Sequence, residues 1–281
     1  MILSFLKRLI PPSILRQVQA LVFGRLSLQR VLESEIVVQV LSRTDWTLYN
    51  DIFVDGEYDA AIEAIPGVAA AGQKLLVFDV GANVGFFSQR LFQLLAAAGC
   101  TPTSVSVVAI EPSVANLREL KRRLALQGRW SNCVRIVPGL EGEKRAGRTV
   151  LFESHNYGMN TVVEAMRYAG ARRTAADFVD IEQVVSDDSV IHLLKCDIEG
   201  AEFSFVENYQ SFLGRVQVAV FEVHHRAGNV EQLRATLAKA GLSDERLVVD
   251  RGDTSVRMYA RPLGPGQQEG RINPQMTWSA A

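Results

Sequence analysis

At 281 residues the chain has room for one large α/β domain with an appendage, and 48 % hydrophobic against 22 % charged residues is the balance of a globular protein with a real core. A formal net charge of −1 supplies no general attraction to nucleic acid or anionic lipid, and the Lys121-Arg122-Arg123 cluster reads as a solvated helix face. The three cysteines, Cys100, Cys133 and Cys196, form neither a disulfide framework nor a zinc-ligand spacing, which suits a reducing cytoplasm.

Residues 1–66 read as a helical cap, with Ile14, Val18, Leu21 and Val22 at helical spacing. The opening run Met1-Ile-Leu-Ser-Phe-Leu-Lys-Arg-Leu-Ile is apolar but interrupted by charges and stopped by Pro11-Pro12, so it is neither a secretion signal nor a membrane span. A weak membrane-surface contact is the alternative to a cap. From about residue 74, short apolar runs alternate with amphipathic helices. Leu75–Asp79, Val105–Ile110, Cys133–Val137, Val190–Cys196 and Val216–Glu222 are the expected core strands. Val84, Phe87, Leu91 and Leu94 mark the first intervening helix. Ser113 caps the second, with Val114, Leu117, Leu120 and Leu124 on one face.

Residues 139–185 interrupt the alternation with expected strands at Thr149–Glu153 and near Phe178–Ile181, and with a polar loop, Ser154–Asn160. After a helix carrying Val230, Leu233 and Leu237, the segments 246–250 and 255–260 flank Arg251-Gly-Asp-Thr as a closing hairpin. The expected domain spans 67–262, followed by a mobile tail, 263–281. Its fold class is α/β: a Rossmann-like, mostly parallel seven-stranded sheet with an antiparallel edge hairpin.

Three runs carry the chemistry. Asp79-Val-Gly81-Ala82-Asn83-Val-Gly85 lies where the first strand meets its helix, the place where such sheets bind ligands. Gly81 admits close backbone approach, and Gly85 lets the helix pack against the strand. The run lacks the central glycine of a dinucleotide fingerprint, and Asp79 would repel a pyrophosphate but attract an ammonium. S-adenosyl-L-methionine is therefore favoured over a nicotinamide cofactor. Ile110-Glu111-Pro112-Ser113 ends the second strand with an acid suited to the two ribose hydroxyls, which Pro112 holds in extended geometry. The reading requires neighbouring strand tips to bring Asp79 and Glu111 together around one nucleoside. Gly139 and Leu140, just past the third strand, complete the expected cofactor set with Asp197.

The third run, Leu194-Lys-Cys-Asp197-Ile-Glu199-Gly-Ala-Glu202, sets three acids after an apolar strand. In order, these runs resemble the hallmark blocks of the FkbM family of methyltransferases, and Phe221-Glu-Val-His224 is similar to the family's acid-bearing fifth strand. The resemblance covers about 74–262. It departs at Ile181-Glu182, where the family has a Leu-Asp pair, and in a long Gly85-to-Glu111 connection through Ala96–Pro102. It implies methylation of a hydroxyl on a small-molecule, sugar, glycan or natural-product acceptor. A hydroxyl nucleophile must lose a proton. Asp197 and Glu199 are the expected catalytic acids and His224 the expected base, although Glu199 and Glu202 also read as loop-stiffening groups and His224 as an exposed loop histidine. Tyr157 and Asn160, near Met159, are candidates for the acceptor pocket. No metal site is expected, the alternative being Asp197, Glu199 and Glu222 around a divalent ion. A non-catalytic binding module and a nicotinamide-dependent oxidoreductase are the competing functions.

Overall fold

The structure is a computed structural model whose described residues are 28–68, 73–143, 147–154, 159–186 and 188–262. The first expected helix, Tyr157 and the tail 263–281 lie outside them. At the centre, β3 (Leu75–Val80), β4 (Val105–Glu111), β5 (Val134–Pro138), β8 (Ile191–Cys196) and β9 (Val216–His224) run parallel. β10 (Asp244–Asp250) and β11 (Thr254–Ala260) form the closing hairpin, and β11 pairs antiparallel to β9. The order is β10-β11-β9-β8-β3-β4-β5, the expected seven-stranded sheet. The chain winds from β3 outward to β5, then returns to β8 on the other side of β3, so the topological switch point lies between β3 and β8.

Strand alternation sorts the core into two layers. Leu75 and Val77 of β3 face α2 (Asp59–Val68), α3 (Phe86–Ala97) and α4 (Val114–Leu124), packing among Ile62, Ile65, Leu91 and Leu120. Phe78 and Val80 face the opposite layer, with Phe205 of α5 (Glu202–Asn208), Phe212 of α6 (Gln210–Leu213), and Leu233 and Leu237 of α7 (Val230–Lys239). Leu117, Leu120 and Leu124 are buried as the spacing of α4 requires, and Ser113 Oγ accepts from the Asn116 amide as its cap. Among the described residues, no helix is long and apolar enough to cross a membrane.

Two segments differ from the sequence reading. The expected helical cap includes an antiparallel ribbon, β1 (Leu28–Val31) with β2 (Val37–Val40), before α1 (Arg43–Tyr49) and α2. Ile36, Val38 and Val40 are buried in alternation with partly exposed neighbours, the period of a strand, and Ser34 and Glu35 adopt positive φ to turn the chain. In the inserted segment, β6 (Arg148–Glu153) pairs with β7 (Arg172–Asp177), upstream of the strand expected near 178–181. Val179 donates to the Leu140 carbonyl, and Asp180 accepts from the Glu182 amide. That cap starts a 3₁₀ turn at Ile181–Gln183 instead.

One buried cation fastens the ribbon to the sheet. The Arg123 guanidinium of α4 lies 2.8 Å from Asp45 of α1 and 2.7 Å from Glu119, donates to the Gln39 carbonyl of β2 at 2.9 Å, and lies over the Phe86 ring. Arg123 and Asp45 are 2 % and 1 % exposed, so removing one partner leaves a charge poorly compensated inside the protein. Asp45→Ala should lower the unfolding free energy by about 3 kcal/mol, since Glu119 remains beside the guanidinium. Urea unfolding that shows a loss below about 1 kcal/mol would contradict this account of the clamp.

Candidate functional site

The switch point opens a cleft at the carboxyl ends of β3, β4 and β8, where ligands bind in sheets of this kind. Gly81 makes the closest approach in it. A Cβ there would lie 1.8 Å from the Asp197 carbonyl oxygen, and its φ of +76° is a conformation only glycine adopts at little cost. The Gly81 and Ala82 amides both donate to the Ile110 carbonyl, drawing the turn over the end of β4. The turns after β3 and β8 therefore touch, and a cavity lies on either side of the contact.

The first cavity is lined by Gly81, Asn83, Glu111, Pro112, Leu140, Glu141, Asn160, Asp197 and Glu199, among others. Glu111 closes one wall. Its carboxylate accepts from the Asn83 amide at 2.9 Å, the Ser113 amide at 2.9 Å and the Asn116 side chain at 3.2 Å. Burial pushes it up to about 7 against the pull of those donors. Glu141 lies deeper, 2 % exposed, with one oxygen lacking a hydrogen-bond partner. Burial, with Glu111 adding repulsion, holds it far above the usual carboxylate range.

The second cavity shares Gly81, Asn83, Asp197 and Glu199 with the first. Thr47, Leu48 and Asp51 line it from the amino-terminal segment, Met159 and Tyr168 from the inserted segment, and Glu222, His224 and Arg251 from the sheet's far side. Arg251 reaches Glu57 at 2.6 Å, Asp51 at 3.6 Å and Glu222 at 3.8 Å, tying the β10–β11 turn to the amino-terminal segment.

Between the cavities, the Asp197–Glu202 turn gives its three acids different surroundings. Glu202 is fully buried and accepts from the Ile198 amide, the Gly200 amide and His224 Nδ1, at 3.2, 3.0 and 3.0 Å. It stiffens the turn as expected, through backbone amides and an imidazole instead of lysine or arginine. Glu199 has a φ of +51°, and Thr161 of the inserted segment donates to its carbonyl at 2.6 Å. Its carboxylate stands 3.2 Å from His224 Nε2, and burial raises it to about 7 while the imidazole draws it down. Asp197 has a buried oxygen without a partner.

The expected residues divide. Ala82, Asn83, Glu111, Pro112, Leu140, Asn160, Asp197, Glu199 and His224 line one cavity or both, although Asn160 lies on the Glu111 side and not in the second cavity. Gly85 and Gly139 line neither; they serve packing. A Cβ on Gly85 would meet Leu120 of α4 at 2.7 Å, and one on Gly139 would meet Val179 at 2.0 Å. Asp79 does not share a cleft with Glu111, so the two carboxylates do not flank one nucleoside as the sequence reading requires. Alternation along β3 turns its side chain onto the α3 side, fully buried, where Ser88 donates to it at 3.1 Å.

His224 is buried rather than exposed in a loop, and both ring nitrogens face carboxylates. Burial disfavours its charge, yet Glu199 and Glu202 outweigh that and push it up to about 12.

Lys195 lines the second cavity and lies outside the expected set. It is the neighbour of Asp79 in the β3–β8 register, and its buried ammonium donates to the Gly81 carbonyl at 2.6 Å. It lies 3.4 Å from Asp79 and 3.7 Å from Asp197. Burial alone would lower its pKa; the two carboxylates reverse the sign and hold it charged. A lysine inside an otherwise apolar strand is the signal that could have found it, because a buried cation needs an anion on the adjacent strand.

The methyltransferase FkbM domain family matches residues 79–243. None of the curated proteins matches. Among solved structures, the chain is similar to the methyltransferase FkbM of Methylobacillus flagellatus KT, at 17 % identity and TM-score 0.47, over 88 % of this chain and 60 % of that one. It thus spans less than two thirds of that relative. It is also similar to the N-terminal domain of EvdMO1 with SAH bound, at 13 % identity, TM-score 0.47 and 88 % and 97 % coverage. A third is the human methyltransferase 10 domain containing protein, at 11 % identity, TM-score 0.46 and 76 % and 92 % coverage.

The ion pair beneath Gly81 has a measurable consequence. Lys195→Met leaves Asp79 buried without its cation and should cost about 3–5 kcal/mol in urea unfolding. Adding Asp79→Asn should recover a large part of that loss. A double variant as unstable as the single one would show that the two side chains do not act as a pair.

Proposed function

This chain belongs to the FkbM methyltransferase domain family, and from that membership we propose that it transfers a methyl group from S-adenosylmethionine to a hydroxyl of a sugar, glycan or natural-product acceptor. The observation that carries the reading is the pair of cavities meeting at Gly81, Asn83, Asp197 and Glu199. Donor and acceptor enter from opposite sides and meet at one rim.

The donor set of the first cavity fits the cofactor. Asn83, Glu141 and Asp197 each place a buried, unpartnered oxygen at its lining. Buried oxygens of this kind call for a donor-rich ligand, since leaving them unpaired costs about 1–3 kcal/mol apiece. S-adenosylmethionine brings an ammonium, two ribose hydroxyls and an adenine amino group. Glu111 would hold the ribose, Leu140 and Glu141 the adenine side, and Asp197 the ammonium side. Asp79, expected to face that ammonium, acts one step away through Lys195 and Gly81. When bound, the cofactor supplies an electrophilic methyl on sulfonium, and in-line displacement depends mainly on alignment.

The acceptor hydroxyl is activated by Glu199, which lines both cavities and whose carboxyl burial raises to about 7. His224 holds the Glu199 carboxylate by a charged hydrogen bond and is itself held by Glu202. Arg251 and the amino-terminal segment close the acceptor side away from the sheet.

Calorimetry should detect binding of S-adenosylmethionine and S-adenosylhomocysteine, and Glu111→Ala should weaken both by about tenfold or more. Wild-type protein that binds neither would sink the proposal. In turnover against a panel of hydroxylated sugars and natural products, Glu199→Gln should lower kcat by about a hundredfold or more while cofactor affinity holds. Glu199 must be ionised to accept a proton, so the wild-type rate should fall as pH drops below about 7. His224→Gln removes the imidazolium that draws Glu199 down, and should move that acid limb to higher pH. An unmoved limb would rule out Glu199 as the titrating base.

A further inference from the structure

The second cavity is short of positive charge. Arg251 serves Glu57, Asp51 and Glu222, His224 stands between Glu199 and Glu202, and Lys195 stands between Asp79 and Asp197. Three cations thus answer seven carboxyl groups among the described residues around it. Under the methyl-transfer reading, on which this inference rests, the cofactor's ammonium answers Asp197 and the imidazolium holds Glu199. Glu222 is left over. It lines the cavity and accepts no hydrogen bond from a described residue. Its ion-pair partner, Arg251, stands 3.8 Å away and is already held 2.6 Å from Glu57. Burial, with Asp197 and Glu57 adding repulsion, holds the Glu222 carboxyl far above the usual carboxylate range. A cation entering the cavity relieves that repulsion.

A second group in the same wall also lacks a partner. Tyr58, which precedes α2, is 2 % exposed, and its ring packs edge-on against Phe87. Its hydroxyl lies at the cavity and makes no hydrogen bond with a described residue. Burial and the nearby Glu57, Asp197 and Glu222 push the phenol well above its usual value, so it stays protonated as a donor. The wall therefore asks a ligand for a positive charge at Glu222 and an acceptor oxygen at Tyr58.

The spacing places that charge close to the reacting hydroxyl. Glu222 and His224 are two residues apart on β9, so their side chains share a face about 7 Å apart along the strand. His224 Nε2 in turn lies 3.2 Å from Glu199. One sugar ring with its substituents bridges such a separation.

We propose that the methyl acceptor is an amino sugar, its ammonium held by Glu222 and a neutral oxygen of the same molecule by the Tyr58 hydroxyl. An ammonium has no lone pair, so the methyl passes to a neighbouring hydroxyl. The S–CH3 bond breaks as the C–O bond forms, and the hydroxyl proton goes to Glu199. An acceptor bearing phosphate or carboxylate would instead meet Glu222, Asp51 and Glu57 with the Arg251 cation already engaged.

Calorimetry on the full chain loaded with S-adenosylhomocysteine tests this at about pH 6.5, where a sugar amine is protonated. The probes are glucosamine, galactosamine and 3-amino-3-deoxyglucose, each against its neutral parent sugar and its N-acetyl derivative. An amino sugar should bind about tenfold or more tighter than both neutral counterparts, the strength of a hydrogen bond to a charged group. Glu222→Gln should abolish that preference while the parent sugar's affinity holds, and an unchanged affinity for S-adenosylhomocysteine reports its fold. Tyr58→Phe should weaken amino and parent sugars alike, by about fivefold. No preference for any amino sugar, tighter binding of glucuronate, or a preference that survives Glu222→Gln would overturn the proposal. Magnesium binding that Glu222→Gln abolishes would overturn it too, by giving the carboxylate to a metal ion. Each of these failures leaves methyl transfer standing while the wild type binds S-adenosylhomocysteine; a wild type that does not bind it removes both readings.

Discussion

The site depends on one buried ammonium. Lys195 extends from β8 beneath the turn that follows β3, donates to the Gly81 carbonyl, and stands between Asp79 and Asp197. Taking a lysine out of water is costly unless anions and hydrogen-bond acceptors replace the lost hydration. Both are supplied by the strands on either side of the topological switch point, so the two strand tips are locked in register where the ligand cleft opens. The contact between the Gly81 turn and the Asp197 carbonyl follows, and with it the exclusion of any side chain at position 81. The two cavities exist because this contact divides the cleft.

Around that lock, the peripheral segments complete the walls. The inserted segment reaches the Asp197–Glu202 turn through Thr161, whose hydroxyl donates to the Glu199 carbonyl and fixes a residue already at positive φ. The amino-terminal segment closes the second cavity, clamped from one end by Arg123 and from the other by Arg251. The tips of β3, β4 and β8 thus share the first cavity with Leu140, Glu141, Leu151, Asn160 and Val162 of the inserted segment. The second cavity is assembled from parts more distant in sequence, so that its shape is free to differ on an unchanged scaffold.

This division explains what could be read from the sequence. The five parallel strands are legible because buried parallel strands are continuous apolar runs, and the closing hairpin because two short runs flank Arg251-Gly-Asp-Thr. The helices after β3, β4 and β9 are legible because each carries a 3.6-residue stripe; α5 and α6, short and set in one acid-rich connection, are not. Glu111 and Asp197 are legible because they end such strands. Asp79 lies one residue too deep: the motif gives its place in the turn, but only alternation along β3 shows which way its side chain points. The surroundings of His224 are not legible, since Glu199 and Glu202 approach it from a different strand–helix connection. The β1–β2 ribbon is hidden because its short alternating run stands among helical signals. β7, Arg172–Asp177, is hidden because it is mostly polar and exposed, with only Ala176 buried along it.

The turn Asp197-Ile-Glu-Gly-Ala-Glu202 shows how one short run of acids yields three chemistries. All three carboxylates arise within six residues, and composition alone would treat them as equivalent. Glu202 spends its acceptors on two backbone amides and an imidazole, so it is fixed and serves the shape of the loop. Asp197 keeps an oxygen unpaired toward the cavities, which suits a ligand's donor. Glu199 lies between these extremes: burial raises it toward neutrality, and the imidazolium keeps it from rising further. A base is effective when its pKa lies near the working pH and its orientation is fixed. Glu202 secures the second condition through His224, and the same imidazolium tunes the first. In the proposed reaction the histidine's contribution is therefore electrostatic and positional, with Glu199 beside it as the proposed proton acceptor.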